Sequence, residues 1–360
     1  MKTVQMMAKL ERGGAQKILI SLAENFDGLI ISGMGGELFN AVRKNFGDRH
    51  IVIKELKREI SPVDDILAIF RVREVLKNIS KNHNGLILHT HGSKAGVIGA
   101  LASAGLKSVR VVHTAHGFAI HPYNSIIVNL VYLWLERLAS MFRDLLIFPC
   151  ETTRMKAMMW KIGKEKQYRV VLNGVEIKKK SHSKSRKIII GTVANFKPQK
   201  NPLLWADVVE EVLKRRDVKF VYCGGGPLFD YVRERFRDEK RVILTGWVDN
   251  PYTYMKDFSI FFLPSRWEGL PLALLEAMSL GIPPVVSNID GNVEVVQDGE
   301  TGFLCPLDDV ECYVEKLLYL IDHPLLRSKF GENAEKVITK RYTMEKMLNG
   351  YRDIYKEVAV

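Results

Sequence analysis

Two hydrophobic rhythms alternate along the chain. Short continuous apolar runs recur at 2–7, 29–32, 51–53, 86–89, 109–112 and 170–172, and again at 188–193, 218–223, 242–244, 259–263 and 284–287. Between them lie longer stretches whose apolar positions return every three or four residues. The runs predict strands buried on both faces, and the stretches predict amphipathic helices that cover them. Helices are expected over 15–25, 62–79, 95–104, 126–142, 152–169, 202–214, 271–280, 310–321 and 343–358. The helix from Pro62 carries Asp64 and Asp65 in its first turn, where the helix dipole favours acids. Strictly alternating strands and helices predict an α/β protein with parallel sheets. One stretch breaks the rhythm: 178–187, KKKSHSKSRK, is polar, charged and aperiodic. It is the expected linker between a domain at 1–177 and a domain at 188–340. The tail from 341 to 360 is amphipathic, with Met347, Tyr351 and Tyr355 on one side.

The clearest chemistry lies in 263–285, LPSRWEGLPLALLEAMSLGIPPV. A strand ends at Pro264 and Ser265, a short loop follows, and a helix begins at or near Pro271 and closes at Gly281. Strand, glycine-bearing loop and helix start together present unpaired backbone N–H groups and the positive end of a helix dipole to an anion. Glu268 and Glu276 flank that position. Amides for a phosphate beside carboxylates are reconciled by a nucleotide sugar: the amides take the diphosphate, and the acids take hydroxyls of the ribose and the hexose.

The run from Glu268 to Glu276, E-G-L-P-L-A-L-L-E, with the Gly-Ile-Pro-Pro-Val after it, resembles the E-x7-E signature of retaining glycosyltransferases of family GT4. The resemblance extends over nearly the whole chain and is strongest from Ile190 to Pro306. It implies a GT-B fold: two Rossmann-like domains with parallel sheets facing across a cleft, the second holding the donor, the first the acceptor, and a C-terminal helix crossing back to the first. It also implies roles for particular residues. Lys200 and the backbone of Gly269, Leu270, Pro271 and Leu272 would hold the diphosphate, with Glu268 on the sugar and Glu276 on the ribose. Asn195 stands where the family usually has an arginine, a departure that removes one fixed guanidinium. Val248 would touch the base through its backbone, and Gly13 and Gly14 would border the cleft. His116, in H-T-A-H-G-F, would hydrogen-bond the transferred sugar, with His113 as the alternative. Ser93 and Lys94 are candidates for the acceptor side. The activity implied is retaining transfer of a sugar from a nucleotide-diphosphate sugar, with a UDP-sugar as the favoured donor. The acceptor would be a glycan or lipid-linked glycan in cell-surface polysaccharide assembly. No metal and no cofactor beyond the donor is called for.

Charge and composition refine this reading. The net charge is +12, and it is unevenly shared: 28 Lys and Arg against 15 Asp and Glu lie in 1–182, and 25 against 26 in 183–360. A basic first half favours an anionic surface or substrate. It lacks the zinc-finger spacing and aromatic signatures of nucleic-acid binders, so nucleic acid is not an expected partner. The stretch 152–169 mixes Met155, Met158, Met159 and Trp160 with lysines and arginines, as an interfacial helix does. It is the expected contact with an anionic membrane, whereas 126–142 is expected to be core. The longest apolar run is too short to span a bilayer and the N-terminus lacks a signal-peptide pattern, so a cytoplasmic protein, peripheral on the inner membrane face, is expected. Cys150, Cys223, Cys305 and Cys312 form no C-x-x-C pair and are expected to be free thiols. Four histidines, His89, His91, His113 and His116, are expected in two strand-end loops without the spacing of a zinc site. Competing readings are a GT-B epimerase or inverting transferase, and a non-catalytic protein that binds nucleotides or nucleic acid.

Overall fold

The computed structural model describes residues 1–178 and 187–359; most of the expected linker therefore lies outside the described residues. The chain divides into two compact units, Met1–Leu172 with Met347–Val360, and Asn173–Lys346.

The first unit is built on seven strands: β1 (Lys2–Met7), β2 (Leu29–Ser32), β3 (His50–Val52), β4 (Leu86–His91), β5 (Val109–Thr114), β6 (Leu145–Phe148) and β7 (Tyr168–Val170). Their order is β3-β2-β1-β4-β5-β6-β7, and every pairing is parallel. Val4, Met6, Ile31, Leu86 and Leu88 are buried because helices cover both faces of such a sheet. Strand β6 is absent from the elements expected above, since its run is short and follows directly on an apolar helix. Strands β4 and β5 each continue two residues beyond their apolar runs. His91 and His113 consequently join His89 as strand residues, and of the four only His116 lies in a loop. The register sets Gln5 beside His89, His89 beside Val112 and His91 beside Thr114. Polar side chains from three strands are thereby gathered at the C-terminal edge of the sheet.

Two expectations for this unit are reversed. The helix Ile126–Ser140 is not core: only Glu136, Ala139 and Ser140 are buried, and Ile127 and Trp134 are 75% and 62% exposed. The stretch 152–169 is not one helix. Helix Glu151–Met159 stops, Lys161 and Gly163 turn the chain with positive φ, and β7 follows. Ile162 is fully buried in that turn, and its carbonyl accepts from the Tyr168 hydroxyl at 2.7 Å. The C-terminal helix, Met344–Ala359, behaves as its pattern predicts: Met347, Tyr351, Ile354, Tyr355 and Val358 are buried, and Tyr355 bonds Gln5 of β1.

The second unit holds six parallel strands: β8 (Ile189–Val193), β9 (Lys219–Cys223), β10 (Val242–Gly246), β11 (Ile260–Leu263), β12 (Pro284–Ser287) and β13 (Phe303–Cys305). Their order is β10-β9-β8-β11-β12-β13. Trp205, Phe220, Tyr222, Phe262 and Tyr313 anchor its core. Cys305 and Cys312 form a disulfide, contrary to the expectation of free thiols, while Cys150 and Cys223 are free and buried. The turn after β13 brings the two Cα atoms to 5.8 Å, within the range a bridge spans, and a spacing of seven gave no hint of it. No helix among the described residues is long and apolar enough to cross a membrane.

Candidate functional site

In the second unit the site is assembled at the C-terminal ends of β8, β9, β11 and β12, where parallel sheets place their ligand loops. Strand β11 is fully buried and ends at Pro264. Pro271 takes the N-cap position in extended conformation (φ −72°, ψ 120°), so helix Leu272–Ser279 begins one residue later than a proline in the first turn would give. The amides of Leu272 and Ala273 precede the first intrahelical acceptor, Pro271 O, which Leu274 N and Leu275 N share. Gly281 follows the helix with φ +66°, as its closing glycine should. Leu272, Leu274, Leu275, Ala277, Met278 and Ser279 are buried, which leaves Ala273 and Glu276 as the less enclosed strip of the helix.

Glu268 and Lys200 form an ion pair, with the Glu268 side chain 5% and the Lys200 side chain 15% exposed. The two loops that carry them are laced together. Arg266 N donates to Gln199 O at 2.8 Å, and Gln199 Nε2 donates to Trp267 O at 2.9 Å. On the other side Asn173 Nδ2 donates to Leu270 O at 2.9 Å. Gly291 packs directly on the glycine of the loop: a Cβ there would lie 1.5 Å from Gly269 O. Any larger residue would push the loop away, so close approach requires glycine at position 291. At Gly224, with φ +154°, a Cβ would lie 1.7 Å from Ala194 O, which is how the loops after β8 and β9 come together around Asn195.

Asn195 Oδ1 and Ser265 Oγ are among the buried polar atoms of these loops with no hydrogen-bond partner among the described residues, as are Asn173 Oδ1 and Asn292 Oδ1. Buried polar atoms are rarely left so, and the position of Asn195 and Ser265 beside Lys200 and Glu268 in sequence and loop marks those two as ligand-facing candidates. Ser265 is the residue that pattern reading passed over; a serine ending a buried strand before a glycine-bearing loop was the available signal. Val248 lies half-buried in the loop after β10.

In the first unit the candidates sit at the corresponding sheet edge. Gly13 caps helix Gly14–Asn25 in extended backbone (φ −171°), and Gln16 Nε2 reaches back to Lys9 O at 3.3 Å across the same turn. Ser93 opens helix Ser93–Ser103. Lys94 is held by an ion pair to Asp65 and by the Glu59 carbonyl at 3.0 Å, so a ligand there would compete with both. His116 is half-buried, and desolvation pulls its pKa down to about 4; its Nε2 lies 2.8 Å from His91 Nδ1. His89, His91 and His113 are buried, which holds each well below the ordinary histidine range and therefore neutral. His113 is buried with Nδ1 on Thr90 at 2.9 Å, whereas His116 is the more accessible of the two. Among the described residues no group of three or more His, Cys, Asp or Glu side chains is placed to hold a metal ion.

Comparison with known proteins bears on the family and the fold. The family model described as "Glycosyl transferases group 1" matches residues 175–337, and that for "Glycosyltransferase Family 4" matches residues 13–179. The chain is 28% identical to an Escherichia coli UDP-Gal:alpha-D-GlcNAc-diphosphoundecaprenol alpha-1,3-galactosyltransferase, over 99% of this chain and 95% of that one. It is 24% identical to the Staphylococcus aureus capsular polysaccharide biosynthesis glycosyltransferase CapM, over 89% and 87%. The crystal structure of Anabaena HepE in complex with UDP superposes with a TM-score of 0.82 at 20% identity, covering 99% of this chain and 100% of that one, a likeness of fold.

Proposed function

As the chain belongs to the family 4 glycosyltransferases of GT-B fold, we propose that it transfers a sugar from a UDP-sugar to a lipid-linked glycan during assembly of a cell-surface polysaccharide, with retention of configuration. The observation that carries the donor assignment is the Lys200–Glu268 pair beside the amide-bearing start of helix Leu272–Ser279. The relatives named as a galactosyltransferase on a diphosphoundecaprenol acceptor and as a capsular polysaccharide enzyme support the acceptor class.

In the proposed reaction the bond from the anomeric carbon to the diphosphate oxygen breaks, and its electron pair stays on the diphosphate. The acceptor hydroxyl oxygen bonds the same face of that carbon, and its proton passes to the departing phosphate oxygen. Negative charge grows on the diphosphate as this happens. Lys200 and the amides of Gly269, Leu270 and Leu272 stabilise it; Pro271 has no N–H and serves by fixing the turn. Asn195 and Ser265 supply polar atoms to the same group or to its water. Glu268 holds a sugar hydroxyl, Glu276 the ribose, His116 a further hydroxyl of the transferred sugar. Val248 meets the base through its backbone, Gly13 and Gly14 leave room for the donor, and Ser93 lies on the acceptor side. None of these steps calls on a metal or a further cofactor.

Met155, Met158 and Met159 of 152–169 are exposed, and a larger exposed apolar surface lies on helices Pro62–Lys81 and Ile126–Ser140, which we take as the main membrane contact. Helix Ser93–Ser103 packs between them. Val63, Ile66 and Phe70 of the one and Ile126, Ile127 and Trp134 of the other are exposed. Each of the three helices follows a strand of the parallel sheet, so their first turns gather at the edge where His116 lies. An apolar surface there, on a unit with a large excess of lysine and arginine, suits an anionic bilayer that presents a lipid-linked acceptor.

Incubation with UDP-glucose, UDP-galactose, UDP-N-acetylglucosamine and UDP tests the donor assignment. The expected outcome is thermal stabilisation by UDP and slow UDP release from one of the sugars. Stabilisation by UDP without turnover of any nucleotide sugar, even with a polyprenyl-diphosphate-linked sugar present, would favour the non-catalytic nucleotide-binding reading.

A further inference from the structure

A chain of hydrogen bonds runs through the floor of the first unit and ends at His116. His116 Nε2 meets His91 Nδ1 at 2.8 Å, and His91 Nε2 meets Gln5 Oε1 at 2.9 Å. Gln5 Nε2 donates to the Tyr355 hydroxyl at 3.0 Å, which lies 2.7 Å from His89 Nδ1. His89 Nε2 meets Thr114 Oγ1 at 2.7 Å, and Thr114 Oγ1 meets the Tyr351 hydroxyl at 3.2 Å. Gln5, His89, His91, Thr114 and Tyr351 are essentially inaccessible and Tyr355 nearly so. The rings of His91 and His116 are stacked 5.1 Å apart.

Proton positions follow from one end. A carboxamide oxygen can only accept, so His91 must carry its proton on Nε2. Burial keeps His91 neutral, so its Nδ1 can only accept. His116 must then supply the proton of the 2.8 Å contact from its own Nε2. In the other direction the Gln5 amide donates to Tyr355, Tyr355 donates to His89 Nδ1, and His89 Nε2–H donates to Thr114. No donor faces a donor anywhere along the row. His116 Nδ1 has no hydrogen-bond partner among the described residues, and with the proton fixed on Nε2 it is a bare lone pair.

We propose that Gln5, His91 and Tyr355 are positioning residues that lock His116 in the Nε2–H tautomer, so that it meets its ligand with Nδ1 as an obligate hydrogen-bond acceptor. On the functional reading above, on which this consequence rests, the sugar hydroxyl at His116 donates its proton to the ring and keeps its lone pairs for other donors. A substrate lacking a hydroxyl there, or bearing an ether or carbonyl oxygen in its place, leaves the lone pair unmatched and is rejected. The row also ties His116 to helix Met344–Ala359, so an interior contact from the far end of the sequence sets the chemistry of a loop at residue 116.

Turning the Gln5 amide over would reverse every bond in the row and move the His116 proton to Nδ1, so the two arrangements are distinguished by where that proton resides. Two-bond 1H–15N correlation spectra of the full chain labelled on histidine, at neutral pH and without ligand, read this directly. The expected spectrum shows a pyridine-type Nδ1 and a pyrrole-type Nε2 for His116, assigned by its loss in His116→Ala. Gln5→Leu should bring in the second tautomer. A proton on Nδ1, or two tautomers at comparable population in the wild type, overturns the proposal whether or not the protein turns over any nucleotide sugar.

Kinetics supply the second arm, as UDP release from whichever of UDP-glucose and UDP-galactose the wild type uses. His91→Leu should lower kcat about tenfold to a hundredfold with little change in KM, as loss of a partner that orients a histidine does. His91→Asn, whose side-chain oxygen can stand in for Nδ1 as acceptor, should recover most of that loss. Equal losses in both variants would make His91 a packing residue and overturn the proposal, as would wild-type rates in both.

Discussion

The two units are both parallel α/β layers, yet they build their candidate sites from different materials. In the second unit the candidate site is made of backbone, a buried ion pair and unpartnered polar atoms at loop ends. In the first unit a row of hydrogen-bonded histidine, glutamine, threonine and tyrosine side chains runs through the strand edge. A diphosphate asks for charge and N–H groups in a fixed array, which a loop and a helix start provide locally. A sugar hydroxyl asks for a donor or acceptor of defined direction, which a histidine provides only when something else fixes its protons. The contrast separates holding the leaving group from orienting what moves.

The strongest way to break that contrast is Lys200→Ala. It removes the cation from the developing diphosphate charge and leaves Glu268 buried without its partner. The expected loss in kcat is about a hundredfold to a thousandfold, accompanied by weaker UDP binding, read from UDP release and calorimetry. A loss of less than tenfold would remove Lys200 from the diphosphate. Next comes a split between the units. Glu276→Ala should weaken UDP binding about tenfold to a hundredfold, whereas His116→Ala should leave UDP binding unchanged and lower turnover by a similar factor. Equal effects of the two variants on UDP affinity would erase the distinction.

Acid should separate the units as well. His89, His91, His113 and His116 are depressed below the value of about 6.5 they take in an unfolded chain. Below that pH the unfolded chain binds more protons than the folded one. The stability is therefore complete above about pH 6.5 and is lost as the pH falls from there towards about 4, the value for His116, by up to ~1.4 kcal/mol per pH unit for each histidine that charges only on unfolding. In the second unit the shifts run among carboxylates: Arg241 holds Glu239 at about 2, and Arg216 and Lys187 lower Asp322 and Asp217. Those contributions fade only below about pH 4. Hydrogen exchange on the whole chain, corrected for intrinsic rates, should show β1, β4, β5 and helix Met344–Ala359 losing protection between pH 7 and 5 while β8 and β11 keep it. Simultaneous loss would deny the histidine row its energetic weight.

The smallest effect concerns the membrane. Ile127→Asp with Trp134→Asp should reduce partition to anionic phosphatidylglycerol vesicles several-fold and leave UDP binding intact, while Met155→Asp with Met158→Asp should do little. Sedimentation with vesicles distinguishes them, and the opposite ranking would restore the surface to residues 152–169.

Much of the second unit was legible in its sequence. Its strands are mostly continuous apolar runs, and the candidates Lys200, Glu268 and Glu276 lie in the loop or helix that directly follows a strand, so they can be picked out by reading locally. Ser265 and Gly291 needed the fold, one because its hydroxyl is unpartnered only once buried, the other because Gly269 lies against it. The first unit was read less well for the same reason. Helix Ile126–Ser140 is apolar around most of its circumference, and composition alone does not say which side meets protein. The stretch 152–169 has helical content, but Lys161 and Gly163 take positive φ to deliver β7 to the sheet edge. His91 and His113 were placed in loops because the strands were ended where apolar residues stopped, whereas the backbone ladder continues under polar side chains.

The parallel α/β arrangement, most of the strands and the loop between β11 and its helix follow from the sequence by itself, because they depend on periodicity and on neighbours close along the chain. The proton on His116, the outward face of helix Ile126–Ser140 and the pairing of Cys305 with Cys312 were decided by the tertiary structure. Each depends on which groups the fold carries into contact: residues 5, 91 and 355 meet only when three separate segments pack, and hydrogen-bond direction is a property of that meeting.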